Sequence, residues 1–483
     1  MTRADFIALL PLCIQAASVL VLLGAVCVRR SHRASMVLSV LFGGLALATL
    51  PVAADQAPHA VGPLLIIDRV ALFYMGLIFA STIAVAVLSY DYLERHGVRR
   101  EEFYILLQAA TTGAAVLAAT IHFAIVFLGL ELLSISLYGM IAYIFNRPHS
   151  LEAAVKYLIL AATASAFLLF GMALIYAESG AMTFAGIRIL PETADGAPAI
   201  FILGGTALFL TGIGFKLALV PFHLWTPDIY QGAPVPVAAF LAAVSKGAVV
   251  SLLLRFALAT DLATATSLQV VVGTLAIASM LAGNLLGLLQ RNLSRLLAYS
   301  SIAHLGYVLV ALLAGGAAGA EAVTFYVTSY LVAVLGAFAV ISLLSTSARD
   351  GNELDDYRGL FWRRPVLAAL FTAILLSLAG IPLTAGFLGK FIVLNAGVTA
   401  SLWPLVLVLV AGSSIGLFYY LRVVATLFAP VSASERFPSG GSHFSISRAG
   451  SALLTVVGAV VLGLGVYPGP LVALIRALWN GAP

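Results

Sequence analysis

The segment AAFLAAVSKGAVVSLLL (Ala238–Leu254) contains a single lysine, Lys246, in an otherwise apolar run. The run extends over residues 235–257, with eleven residues on each side of the lysine. That length suffices to span the hydrocarbon core of a bilayer. A charged side chain at the centre of such a helix costs about 2.5–3.5 kcal/mol, and this one is too deep to reach either surface. The segment therefore predicts a membrane-spanning helix with a functional lysine inside it.

The rest of the chain has the same character. Of its 483 residues, 62% are hydrophobic and 9% are charged, whereas soluble domains carry about 25% charged residues. The net charge of +5 comes from basic residues in short connections, so it does not indicate nucleic-acid binding. We predict fourteen spans, with boundaries good to a few residues: 6–28, 35–54, 70–90, 103–120, 122–145, 152–177, 199–222, 235–257, 266–289, 296–315, 322–346, 366–390, 402–428 and 449–470.

The charges of the connections predict an orientation. The first run, Phe6–Val28, ends in two arginines and is interpreted as a retained helix and not as a cleaved signal peptide. Lysine and arginine are concentrated in the odd-numbered connections between spans and are scarce in the even-numbered ones. The positive-inside rule then places the odd-numbered connections in the cytoplasm and both termini in the periplasm.

The cysteine content argues against a metal or redox centre in this chain. Cys13 and Cys27 lie in the first span, about 21 Å apart along a helix, which is too far for a disulfide. The sequence contains no C-x-x-C pair and no Cys/His cluster. We therefore expect no metal and no bound cofactor in this chain.

Spans 7 and 12 share an unusual combination of a lysine with glycine and proline. Span 7 contains TGIGFKLALVP (Thr211–Pro221), and span 12 contains LAGIPLTAGFLGK (Leu378–Lys390). Membrane helices tolerate single glycines and prolines, but paired broken helices at matching positions indicate a transport site. The two spans are five apart, which would place the second copy upside down relative to the first. We predict that both helices are discontinuous, with the second break at Gly380–Gly386.

The choice of cation suggests proton transfer. The chain has 21 arginines and four lysines, yet three of the lysines, Lys216, Lys246 and Lys390, lie inside predicted spans. Arginine and lysine cost about the same to insert at a helix centre. Arginine stays charged, whereas a buried lysine can release its proton. The three buried lysines are therefore candidate proton carriers.

Glu131 is the acidic residue in the middle of an apolar run, FAIVFLGLELLSISLYG. A carboxylate at that depth must be neutral or paired. If it faces Lys216, each of the two charges would stabilise the other. The alternative is a static ion pair that only holds two helices together.

Three further residues have weaker signals. Lys156 lies five residues into span 6, where it could join a relay or extend its ammonium to the membrane surface. His304 in span 10 could relay protons or be a hydrogen-bonded core histidine. His223, at the predicted cytoplasmic end of span 7, could take up protons or lie at an interface. Asp228 and Pro227 fit turn and cap chemistry.

Several segments together resemble a known family. They are FLGLELLSISLYG, EAAVKYLILAATASAFLLFGMALIY, GFKLALVPFHLWTPDIYQGAPVPVAAFLAAVSKGA, QRNLSRLLAYSSIAHLGY and LSLAGIPLTAGFLGKF. The chain resembles the antiporter-like membrane subunits of bacterial NADH:quinone oxidoreductase (respiratory complex I), and among them subunit N. The sister subunits usually have a histidine in span 8, where this chain has Lys246, and one of them has a glutamate in place of Lys390.

The resemblance implies an all-α fold with two inverted five-helix repeats, spans 4–8 and 9–13. It implies a single membrane domain with helices 1–3 in residues 1–95, the repeats in 100–260 and 264–430, and the last helix and tail in 445–483. It also implies that Glu131, Lys216, Lys246 and Lys390 carry the proton path. This chain departs from the family pattern at Leu383, where a proline is common, and at Ser294, which is often basic.

The leading hypothesis is a proton-translocating, non-redox subunit of a bacterial inner-membrane NADH:quinone oxidoreductase. The resemblance implies neighbours of the K, M, L and J types, with NADH, flavin, iron–sulfur clusters and quinone bound in other subunits. The remaining expected partner is the lipid bilayer, and we expect no nucleic acid. The alternative is a subunit of a cation/proton antiporter that is not linked to electron transfer. A third hypothesis, a purely structural subunit, is disfavoured because idle charges inside a membrane are costly.

Overall fold

The computed structural model describes residues 2–97, 100–187, 200–346, 350–430 and 448–479. In these ranges thirteen helices are long and apolar enough to cross a membrane. The one remaining predicted span, span 12, is made of two shorter helices, Pro365–Ala379 and Ala385–Thr399. The helices up to the middle of the chain are α1 (Arg3–Val28), α2 (His32–Ala54), α3 (Arg69–His96), α4 (Glu101–Ala119), α5 (Phe123–Ile141), α6 (Pro148–Ser179), α7 (Ile200–Leu217), α8 (Trp225–Gly232), α9 (Val235–Phe240) and α10 (Lys246–Ala259).

The remaining helices continue this pattern and end with a short helix after the last span. They are α11 (Thr266–Leu288), α12 (Leu293–Ala314), α13 (Gly316–Leu344), α14 (Leu360–Arg363), α15 (Pro365–Ala379), α16 (Ala385–Thr399), α17 (Trp403–Phe428), α18 (Arg448–Val466) and α19 (Gly469–Trp479). The predicted division at 445–483 begins and ends outside the described residues.

The two ends of the bundle differ, and we name them by their features. The end with the odd-numbered connections is the basic face. The other end is the hairpin face, because β1 (His59–Val61) pairs there with antiparallel β2 (Leu65–Ile67). Bridges from Leu65 to Thr120 and from His122 to Thr183 tie three connections together at the hairpin face. The hairpin and α19 are small additions to the helical fold that the sequence analysis did not include.

The two predicted repeats pack in the same way. In the first repeat α4 packs against α5 and α10, and in the second α11 packs against α12 and α17. Both helix pairs cross at a glycine. A Cβ atom on Gly113 would lie 2.7 Å from Gly129 O, and one on Gly283 would lie 2.6 Å from Ala303 N. Small residues allow such close approach of membrane helices.

The central helices are shielded from lipid by the outer ones. The span formed by α9 and α10 is 100% buried inside the bundle, and the spans of α12 and α13 are 94% and 89% buried. For α6, at the periphery, the share is 33%. The residues on α10, α12 and α13 therefore form the protein interior, where polar side chains need protein partners.

Both predicted discontinuous helices are broken. In span 7, α7 ends at Leu217, Ala218 has φ +61°, and α8 begins only at Trp225. In span 12, α15 ends at Ala379 and Gly380 has φ +84°. Leu383, which replaces the common proline, has φ +71°, so the break does not depend on that proline. The prediction of a break at Gly380–Gly386 is confirmed.

Candidate functional site

Buried and half-buried polar side chains are spread through the middle of the bundle, and we call this set the polar line. Its members are Ser134, Tyr157, Lys216, Tyr230, Lys246, Ser301, His304, Tyr307, Tyr326, Tyr330, Lys390, Ser413 and Tyr420. The polar line contains all three lysines that the sequence placed inside spans.

Lys216 lies at the break in span 7. It is the penultimate residue of α7, where the negative end of the helix dipole favours a cation. Its side chain is 4% exposed, and Nζ donates a hydrogen bond of 2.6 Å to Ser134 Oγ on α5. The ammonium also lies 5.5 Å from the centre of the Tyr157 ring on α6. The break thus holds the lysine among three helices, away from water.

Glu131 lies one turn before Ser134 on α5, but it does not touch Lys216 directly. Its Oε1 accepts a hydrogen bond of 2.6 Å from Ser165 Oγ on α6. Among the described residues there is no ion pair between Glu131 and Lys216 within 4 Å. In this structure each group instead bonds to a serine on a neighbouring helix.

Lys246 follows directly after a π-helix turn, Leu241–Ser245, that connects α9 to α10. Such turns inside α-helices are frequent at functional sites. Lys246 is 2% exposed and donates a hydrogen bond to Ser301 Oγ on α12. The same oxygen accepts a hydrogen bond of 2.6 Å from Tyr330 Oη on α13. Ser301 therefore joins the lysine to a tyrosine of the second repeat.

His304 lies on α12 between two tyrosines. Its Nδ1 is 2.6 Å from Tyr326 Oη, and its Nε2 is 3.2 Å from Tyr420 Oη. The rings of His304 and Tyr330 are 5.1 Å apart. A neutral imidazole has one donor and one acceptor nitrogen, so this ring can connect two hydroxyl groups. His304 is thus both hydrogen-bonded in the core and placed to relay protons, which joins the two interpretations of the sequence.

Lys390 lies at the break in span 12. Its Nζ donates hydrogen bonds of 2.7 Å to Ala379 O and 2.9 Å to Ser413 Oγ. Ala379 is the last residue of α15, so its carbonyl belongs to the negative end of a half-helix. The ammonium is 5.5 Å from the centre of the Tyr307 ring, which contacts the His304 ring. Neighbouring side chains therefore extend from Lys246 to Lys390, with hydrogen bonds as far as Tyr330 and ring or cation–π contacts from there on.

The helix α8 lines the interval between Lys216 and Lys246. Its Trp225 ring packs 5.1 Å from Tyr157, beside Lys216, and its Tyr230 ring lies 5.5 Å from Lys246 Nζ. The hydroxyls of Thr226 and Tyr230 are buried and have no hydrogen-bond partner among the described residues. Buried polar groups of this kind usually bind ordered water. The interval between Lys216 and Lys246 is thus polar, although direct side-chain contacts do not bridge it among the described residues.

Lys156 lies apart from the polar line. Its side chain is 44% exposed and forms ion pairs with Glu152 at 2.7 Å and Asp228 at 3.0 Å. Asp228 also pairs with Arg295 at 2.8 Å. The structure therefore favours the interpretation of Lys156 as a surface lysine. Asp228 therefore forms ion pairs with both Lys156 and Arg295, in addition to the turn role that the sequence suggested.

His223 lies in the connection between α7 and α8, inside the break of span 7. It is 7% exposed, and its Nδ1 has no hydrogen-bond partner among the described residues. The sequence had placed it near a membrane surface, but the break holds it inside the bundle.

The tyrosines and serines of the polar line were not identified from the sequence. Each tyrosine falls in an apolar run, where it fits ordinary core packing as well as it fits a relay. Their partners are distant in sequence, as with Lys246 and Ser301, so only the packed helices bring them together. A usable signal would have been the hydroxyl residues at the centres of the most apolar spans.

Replacing Gly380 with alanine is expected to destabilise the break in span 12. A Cβ atom there would lie 2.8 Å from Lys390 Cδ, and the backbone has φ +84°. The left-handed backbone alone costs a non-glycine residue about 1–2 kcal/mol. We expect a lower midpoint in thermal unfolding of the purified protein. The matched control is Gly204→Ala, where no atom lies within 4 Å of the new Cβ; equal midpoints for the two variants would contradict the prediction.

Comparison with known proteins gives one consistent family. The sequence profile of the family described as "NADH:quinone oxidoreductase/Mrp antiporter, TM" matches residues 120–416. The chain is 49% identical to NADH-quinone oxidoreductase subunit N of Ectopseudomonas mendocina (strain ymp), over 98% of this chain and 97% of the relative. The range matched by the family profile, residues 120–416, spans both broken helices and all three buried lysines of this chain.

Solved structures share the fold over almost the whole chain. A chain of respiratory complex I from Thermus thermophilus with bound aureothin superposes with a TM-score of 0.82 at 32% identity, covering 96% of this chain and 99% of that one. A chain of the Mrp complex from Dietzia sp. DQ12-45-1b superposes with a TM-score of 0.85 at 20% identity, covering 99% and 97%. At that identity the second match shows the fold alone.

Proposed function

The chain belongs to the NADH:quinone oxidoreductase/Mrp antiporter transmembrane family, and we propose that it is a proton-translocating membrane subunit, of the subunit N type, of a respiratory NADH:quinone oxidoreductase. The observation that carries this proposal is the polar line, which joins buried lysines of the two repeats. The 49% identity over nearly the full length supports the respiratory assignment.

In the proposed mechanism each lysine takes up and releases a proton, which an arginine in its place could not do. Protons would pass from Lys246 to Ser301 and Tyr330 through hydrogen bonds. The links from Tyr330 through His304 and Tyr307 to Lys390 are ring and cation–π contacts, so water between these groups would have to complete the path. Water bound at Thr226 and Tyr230 would bridge the interval from Lys216 to Lys246.

Glu131 adjusts the field at Lys216 from one turn along α5, and not through a direct ion pair. A change of charge or position at Glu131 would alter how favourably Lys216 holds its proton. In our proposal, redox energy released in partner subunits acts on this pair of sites first. Flavin, iron–sulfur clusters, NADH and quinone would be bound in those partners, which include the neighbouring subunits of the membrane arm.

The orientation and the division of the chain are part of the same proposal. We propose that the basic face is cytoplasmic, with both termini in the periplasm of a bacterial inner membrane. Residues 100–260 and 264–430 would act as the two inverted repeats, flanked by 1–95 and 445–483.

A cation/proton antiporter subunit is the second candidate, because the description of the matching family also names the Mrp antiporter. Purification of the tagged chain from its native membrane separates the two candidates. Co-purification of NADH:quinone reductase activity would support the respiratory assignment. Recovery in a complex without that activity, together with loss of sodium-dependent proton exchange on deletion of the gene, would support the antiporter.

Replacing Lys156 with methionine is expected to change proton pumping by less than about twofold, because exposed ion pairs contribute little. The same substitution at buried Lys216 is expected to reduce pumping strongly. Both variants are measured as protons moved per electron pair in vesicles that hold the assembled complex. A large loss in Lys156→Met would show that the surface lysine belongs to the proton path.

A further inference from the structure

A buried amide that is not part of the polar line lies on the first helix of the second repeat. Asn284 is on α11, four residues before that helix ends at Leu288, and it is 1% exposed. None of the steps proposed above uses it. A buried asparagine in a membrane helix commonly holds helices together through hydrogen bonds. The contacts of this amide indicate a more specific role.

Three hydrogen bonds fix the Asn284 side chain. Its Nδ2 donates to Met280 O at 2.7 Å and to Tyr307 Oη on α12 at 2.9 Å. Its Oδ1 accepts from Tyr419 Oη on α17 at 3.3 Å. A backbone carbonyl can only accept, so the amide atom that lies near both Met280 O and Tyr307 Oη must be the nitrogen. Asn284 is therefore a donor to the Tyr307 hydroxyl.

The neighbouring helix α17 leaves space for this amide. A Cβ atom on Gly412 would lie 2.8 Å from Asn284 Nδ2 and 3.4 Å from Tyr307 Oη. Ser413, the residue after Gly412, accepts the hydrogen bond of 2.9 Å from Lys390 Nζ. The Tyr307 hydroxyl therefore lies beside the segment of α17 that binds Lys390.

Tyr307 itself contacts two groups of the polar line. Its ring centre is 5.7 Å from that of His304 and 5.5 Å from Lys390 Nζ. Because Asn284 donates to the hydroxyl oxygen, the hydroxyl keeps its own proton for another acceptor. Among the described residues, neither a side chain nor a backbone carbonyl accepts that proton. A buried donor of this kind usually binds ordered water.

We propose that Asn284 is a positioning residue for proton transfer between His304 and Lys390. By donating to Tyr307, it fixes the ring beside both groups and leaves the hydroxyl proton available to bound water. In a transfer step the hydroxyl gives this proton to water, and that water protonates neutral Lys390. The oxygen takes a replacement proton from water on the His304 side through its second lone pair, so the tyrosine ends the step neutral. The inference rests on the proposed function in one respect, namely that Lys390 carries protons.

The decisive variants are Asn284→Leu and Tyr307→Phe. Leucine has the same branched shape as asparagine but no donor, and phenylalanine keeps the ring and loses only the hydroxyl. We expect either variant to lower proton flux through this chain at least about tenfold, within the roughly 100-fold that a misplaced group can cost. The double variant should lose no more than either single one, because both changes act through the same hydroxyl.

The loss is measured as protons moved per electron pair in vesicles that hold the assembled complex, together with the thermal midpoint of the same preparations. The matched control is Gln108→Leu, which removes a buried amide from α4, the corresponding helix of the first repeat. Gln108 donates to Ser39 O at 2.9 Å and accepts from Gln15 Nε2 at 2.6 Å, away from the polar line. We expect this control to lower the thermal midpoint and to leave the proton ratio unchanged, as the loss of any purely structural amide would.

A wild-type proton ratio in an assembled Asn284→Leu complex would overturn the inference. If that variant does not assemble, a wild-type ratio in Tyr307→Phe would overturn it, since the hydroxyl would then have no role. A double variant that loses much more than either single one would also contradict it. Failure of the proposed function looks different, because Lys390→Arg would then pump at the wild-type ratio, whatever the Asn284 variants do.

Discussion

Replacing Lys246 with methionine is expected to stop proton transfer through this chain while the complex still assembles. Methionine is similar in length and apolar, and burying it avoids the roughly 2.5–3.5 kcal/mol that a cation costs at a helix centre. Ser301 keeps its hydrogen bond from Tyr330, so the substitution leaves no orphaned hydroxyl. Loss of a positioned proton-transfer group typically slows its step by roughly 100-fold or more.

The measurement is the number of protons moved per electron pair, in vesicles that hold the assembled complex. We expect that ratio to fall, because the polar line has no other side chain that can take the lysine's proton at this point. Val244→Met, two residues away on the buried turn before α10, introduces the same thioether without removing the lysine and controls for its presence. An unchanged ratio in an assembled Lys246→Met complex would refute the proton path.

The broken helices are a part of the fold that could be predicted from the sequence. Gly380 and the residues after it cannot continue an α-helix, and their spacing to Lys390 places that lysine beside the break. The depth of Lys246 followed from its position at the centre of a mostly apolar run, with eleven residues on each side. These features are local in sequence, so periodicity and residue type suffice to predict them.

The partners of these lysines could not be predicted, because each contact joins helices that are far apart in the chain. Ser301 is 55 residues from Lys246. The same holds for Glu131 and Lys216, whose serine partners on α6 and α5 have no sequence signature. Helix packing, and not a local sequence pattern, brings these partners into contact.

Replacing Lys390 with arginine is expected to preserve the break in span 12 and to abolish proton transfer through it. The lysine has two roles there, because it donates to Ala379 O and Ser413 Oγ and also carries a proton. Arginine retains both the charge and the donors but cannot release a proton. Methionine removes all of them, and a buried carbonyl without its donor costs about 1–3 kcal/mol.

The pair of variants therefore separates support of the half-helix from proton transfer. We expect Lys390→Arg to keep the thermal midpoint of the assembled complex and to lose roughly 100-fold in proton flux through this chain. Lys390→Met should lose both. Lys156→Arg, at an exposed lysine, is the control for the chemistry of the substitution and should retain both. If Lys390→Arg pumps at the wild-type ratio, the lysine serves only as a fixed charge, and the preference for lysine over arginine inside the spans requires another cause.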